Sequence, residues 1–64
     1  MWLQHARDFA QFMGIPEDDE ILTYATDEKG AKEIVQELVN YQLEMGNDDL
    51  ETVQHYKVLL ENES

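Results

Sequence analysis

Glu33, Glu37 and Glu44 recur at spacings of four and seven residues, with Asn40 between the last two. At 3.6 residues per turn and 1.5 Å of rise per residue, these spacings put three carboxylates within an arc of roughly 40°, roughly 6 and 10 Å apart along one helix flank. Such a row can pair with Lys or Arg of another molecule through charge-assisted hydrogen bonds. A second acidic run, Pro16-Glu17-Asp18-Asp19-Glu20, sets four carboxylates directly behind a proline. Proline at a first helical position followed by acids suits a helix start, because the missing N–H is not needed there and carboxylates complement the positive end of the dipole. One or two acids suffice for that purpose, and successive residues turn by roughly 100°. The run reads first as a helix start with a solvated face, and second as an acidic surface for a partner, with Asp19 and Glu20 projecting away from Ile21 and Ala25. Leu43 projects away from the main apolar face beside the glutamate row, and Val58 is isolated in the same way on the last helix. Leu43 joins the candidate binding set as an apolar anchor next to charge.

Other chemistry finds little to work with. His5 lies among Trp2, Phe9 and Phe12 on the first helix and reads as a histidine at the rim of the core. His55 follows Glu51 by four residues, a pair able to share a hydrogen bond or bind adventitious metal. Two lone histidines and no cysteine make no metal site, and no cofactor is implied. Asp18-Asp19 and Asp48-Asp49 lack the spaced oxygen ligands and central glycine of a calcium loop. Ser64, Thr23, Thr26 and Thr52 have no base placed beside them by the sequence. With so small a core there is little room for a substrate cleft, and a non-enzymatic protein is expected.

The elements that must position these residues follow from periodicity. Trp2, Ala6, Phe9 and Met13 stripe a helix over 2–13, stopped by Gly14. Ile21, Leu22, Tyr24 and Ala25 predict a short helix within 16–25. Ala31, Ile34, Val35, Leu38, Val39 and Met45 share one broad face over 27–45, with Gly30 in the first turn and Gly46 as the stop. A last helix over 48–61, capped by Asn47 or Asp48 with Glu51 near its start, carries Leu50, Val53, Tyr56, Leu59 and Leu60 inward. Lys57 falls inside this apolar arc and is expected to snorkel or to pair with an acid from another helix. The tail 61–64 is expected to fray. The expected architecture is an all-α single domain, a bundle of three helices plus a short extra one, the last two forming an antiparallel hairpin.

Composition narrows the function. Fifteen Asp and Glu against four Lys and Arg give a formal net charge of −11, which repels nucleic acid phosphates and anionic membranes. At 42% hydrophobic residues the 64-residue chain is expected to fold, on a core that is small for its surface. No apolar run approaches the roughly 18 residues of a membrane span, and the N-terminal segment lacks the features of a signal peptide, so a soluble cytoplasmic protein is expected. The stretch 34–60 has the outline of a DNA-reading helix-turn-helix, but its second helix carries one Lys against several acids, which excludes phosphate contacts. The same hairpin loosely resembles the short helical hairpins that dephosphorylate response regulators in spore-forming bacteria, with Glu51-Thr52-Val53 opening the second helix. Those carry a Ser-Gln-Glu-Leu-Asp motif where this chain reads Tyr56-Lys57-Val58-Leu59-Leu60, so no activity carries over. The expectation is a small acidic protein that occupies a basic surface of a partner protein, such as one that normally holds nucleic acid, and inhibits or regulates it, similar in composition to small inhibitors of phage or mobile-element type. The rival is a structural module whose apolar helix faces close a homodimer or dock into a larger assembly.

Overall fold

The computed structural model describes residues 1–63. They form four helices and no strand: α1 (Trp2–Phe12), α2 (Glu20–Thr23), α3 (Glu28–Glu44) and α4 (Glu51–Glu63). The chain is all-α, as its periodicity predicts. None of these helices is long and apolar enough to cross a membrane.

Each of the three long helices delivers one large, fully buried side chain to the core: Phe9 from α1, Val35 from α3 and Val53 from α4. Trp2, Ala6, Ala31, Ile34, Leu38, Val39 and Tyr56 complete the core, and the Tyr56 ring stacks on Phe9 with centroids 4.7 Å apart. Burial of one such side chain is worth roughly 1.5–3 kcal/mol. In a fold whose total stability is of order 5–15 kcal/mol, no one of the three is dispensable.

The directions of the helices follow from what their ends touch. Glu28, at the start of α3, holds the start of α1, while Met13 just past the end of α1 sits with Leu38 and Tyr41 late in α3. The two helices therefore run the same way. The segment between them returns along α1, placing Ile15 and Pro16 near Gln11, and Leu22 and Ala25 near Leu3 and Arg7. Helix α4 then runs back along α3, bringing Leu60 and Glu61 beside Lys32 and Gln36.

Both glycine stops are used as expected. Gly14 takes a φ of 78° and Gly46 one of 83°, left-handed conformations that glycine adopts without a Cβ penalty. The turn after α1 is closed by the Ile15 N–H donating to the Ala10 carbonyl at 2.8 Å, and the turn after α3 by the Asn47 N–H donating to the Gln42 carbonyl at 2.9 Å.

Three expectations about boundaries need correction. The segment 16–25 is helical only over Glu20–Thr23. Pro16 opens a turn instead, with the Asp19 N–H donating to its carbonyl at 3.0 Å, and the Asp19 carboxylate then accepts the Ile21 N–H at 3.0 Å. An aspartate cap satisfies a donor that would otherwise be orphaned, and that outweighs proline's preference for a first helical position. The last helix begins at Glu51, and neither Asn47 nor Asp48 caps it. The Asn47 side chain is engaged backwards, donating to Gln42 Oε1 at 2.7 Å, while the Asp48 carbonyl accepts from the Gln54 side chain. The expected fraying of 61–64 is not found up to Glu63, where α4 is still helical with Leu59 and Leu60 packed on the core; Ser64 lies outside the described residues.

Helix α1 has no side-chain cap of its own. The Glu28 carboxylate supplies one from α3: it accepts from the Met1 ammonium at 2.6 Å and from the Trp2 and Leu3 N–H groups at 2.9 Å each. The ammonium, and then the two backbone donors, hold the Glu28 carboxyl down at about 2. Helix α3 is started by Asp27, whose carboxylate accepts the Gly30 N–H at 2.7 Å.

Candidate protein-binding surface

Helix α3 buries Ala31, Ile34, Val35, Leu38 and Val39, which forces the opposite flank outward. Glu33, Glu37, Asn40 and Glu44 all lie on that flank and are all exposed. The three carboxylates are not engaged in a side-chain hydrogen bond or ion pair among the described residues. The basic residues are elsewhere: Arg7 shares a cleft with Glu17, and Lys32 shares one with Glu61. Near the row in sequence stand Lys29, one turn before Glu33, and Lys32, directly before it.

The remaining predicted site residues divide. Glu20 is exposed, whereas Asp19 is half-buried with its carboxylate engaged as the α2 cap. Leu43 does not project outward as expected; it is half-buried and packs against the core. With helices on both flanks, α3 covers a wider arc than a projection of one helix allows. Val58 is exposed at 49%, as its position implies. Of the residues assigned to the core, Met45 and Leu50 are instead exposed at 62% and 37%. Both belong to the connection rather than to a helix, so helical periodicity does not govern them.

The two histidines have aromatic neighbours. His5 is half-buried, edge-on to Trp2 at 5.4 Å and to Tyr56 at 5.5 Å between centroids, which places it at the core rim as expected. His55 is exposed with its ring 5.3 Å from that of Tyr56. Burial first, and then the charge of Asp8, push the Tyr56 phenol up. No group of three His, Cys, Asp or Glu side chains able to hold a metal ion is found among the described residues.

One feature of the surface could not be read from a single helix. Met13 and Ile15 after α1, Ile21 in α2, and Leu38 and Tyr41 in α3 line an open groove of about 490 Å³, and Glu37 of the acidic row is its charged member. The residues come from three separated segments, with Tyr41 four positions after Glu37 on α3. Around the same end of the molecule Phe12 is exposed at 51% and Tyr41 at 52%.

Comparison with family models, with curated proteins and with solved structures finds no match to this chain.

Proposed function

We propose that the protein is a non-enzymatic acidic binding protein of the cytoplasm that occupies a basic surface of a partner protein and so inhibits or regulates it, in the manner of small inhibitors of phage or mobile-element type. What supports the reading is the exposed row Glu33, Glu37 and Glu44, without an ion pair among the described residues, on the outer flank of α3, in a chain of net charge −11. A cation row on the partner meets these carboxylates at one- and two-turn intervals, which favours encounter and fixes register. The same charge disfavours direct contact with nucleic acid or an anionic membrane.

Magnitudes limit what the row does by itself. Exposed ion pairs are worth about 0.2–1 kcal/mol each. Three of them supply at most about 3 kcal/mol, while a micromolar complex requires about 8 kcal/mol. The charges on this reading steer and select, and apolar contact holds.

The rival reading, a module that pairs with itself or docks into an assembly, draws on Phe12, Tyr41 and Met45 exposed near one end. Capture of a partner from the native cell separates the two. The parent chain and the Glu33→Lys, Glu37→Lys, Glu44→Lys variant are immobilised and compared at low and raised salt. A partner held at low salt, released at high salt and lost on reversal supports charge recognition. Equal retention by the reversed chain at low salt refutes it, and a tight dimer of the isolated chain in sedimentation favours the rival.

A further inference from the structure

We propose that the groove between the end of α1, the 15–21 segment and α3 receives an apolar side chain from a basic amphipathic helix of the partner, with Lys or Arg beside that side chain pairing to Glu37 and its neighbours. The proposal rests on the charge-recognition reading above and names the shape and chemistry of the partner element.

The groove walls are apolar and incompletely covered. Met13, Ile15 and Ile21 are half-buried, each packing one side on the core and leaving the other toward the opening, with Leu38 at only 5% exposure beneath them. Tyr41 forms one edge and is itself half out in solvent. Carboxylates bracket that edge along α3: Glu37 precedes Tyr41 by four residues, Glu44 follows it by three, and Glu33 stands one turn further back. An apolar slot with acids at helical intervals beside it complements a helix carrying an apolar anchor and basic residues one turn away on either side.

Charge also rules on the other occupants. In a symmetric pair the same patch meets itself, so a second copy seated here would bring Glu37 and Glu44 toward their own counterparts on a body that already carries −11. An acidic segment or an anionic lipid surface meets the same repulsion. A basic helix is the one occupant for which both the slot and its border are favourable.

Three synthetic helix-forming peptides test this on the full chain at physiological salt. The first carries Leu at one-turn spacing with Arg alongside, the second replaces each Leu by Ala, and the third keeps Leu but replaces each Arg by Glu. Fluorescence anisotropy reads the affinities, and amide chemical shifts map the contact. The first peptide is expected to bind at least tenfold more tightly than either of the others, with the largest shifts at Met13, Ile15, Ile21 and Tyr41. Tyr41→Ser, at an exposed position where the fold is checked by circular dichroism, is expected to reduce that preference severalfold. If the Ala peptide binds as tightly as the first, the groove inference fails while charge recognition stands. If the Glu peptide does so, charge recognition itself fails. Shifts confined to Phe12, Met45 and Leu50, or concentration-dependent dimerisation through the groove without peptide, overturn the proposal as well.

Discussion

Glu28 and Glu33 are five residues apart on α3, and the same carboxylate group meets opposite surroundings at the two positions. Glu28 faces the start of α1, where an ammonium and two backbone N–H groups converge on it and hold its carboxyl near 2. Glu33, with Glu37 and Glu44, faces water on the outer flank without a cation assigned to it by the fold. The difference shows that acidity in this chain has two uses. Glu28, Asp27 and Asp19 satisfy helix starts, and the flank acids satisfy nothing within the described residues, which is what makes them candidates for use by another molecule.

The largest expected effect breaks the structural side of this comparison. A Cβ added at Gly30 would stand 2.8 Å from the Tyr24 carbonyl oxygen and 3.1 Å from Asp27 Oδ1. Helix propensity alone favours alanine over glycine by up to about 1 kcal/mol. The close approach is to backbone, which must shift along with the Asp27 cap, so strain wins. Gly30→Ala is expected to destabilise by about 1–3 kcal/mol, the usual cost of overpacking. Thermal unfolding followed by circular dichroism checks it; a variant as stable as the parent would show that the 24–27 connection yields freely.

A smaller effect comes from Glu28 itself. Its folded-state value of about 2 lies below the ordinary 4.5, so its stabilisation is complete above pH 4.5 and is lost as pH falls through about 2. Glu28→Gln removes the charge and keeps the shape. The variant is expected to melt below the parent at pH 7, and the gap in melting temperature is expected to narrow steadily between pH 4.5 and 2. Comparing the two chains at each pH cancels the protonation of the other acids. A gap that stays constant over that range would mean that the carboxylate's charge is not what holds α1.

Much of this was legible in the sequence where a single helix decides. The apolar faces of α1 and α3, the glycine stops and the outward direction of Glu33, Glu37, Asn40 and Glu44 all follow from a 3.6-residue period. What was not legible depends on a second element. Leu43 looked outward because a single-helix projection cannot register neighbours packed on both flanks. Pro16 to Glu20 looked like a helix start because the competition between a proline and an aspartate cap is settled by a four-residue turn, Pro16 to Asp19. The cap that Glu28 supplies to α1 had no signal in the sequence, because its partners are more than twenty positions away in the chain. The groove beside Glu37 is assembled from three segments and has no sequence pattern at all.

The smallest effect concerns the flank. Reversing Glu33, Glu37 and Glu44 to Lys changes formal charge by two at each position, taking the chain from −11 to −5. The side chains are exposed, and lysine forms helix about as well as glutamate, so each change should cost or gain no more than about 0.5 kcal/mol. The salt dependence is more telling than the stability. In the parent, added salt screens repulsion among the acids and is expected to raise the melting temperature. Screening also weakens the Glu28 contact with the Met1 ammonium, which acts in the opposite sense. The reversed chain, with less repulsion to relieve, should therefore show a flatter rise than the parent, and Glu28→Gln, with no pair to weaken, a steeper one. Melting curves of the three chains over a range of sodium chloride concentrations decide it. Parallel slopes for all three would mean that the flank row and the Glu28 contact are electrostatically equivalent, and the distinction between a carboxylate used by the fold and a carboxylate left for a partner would lose its physical basis.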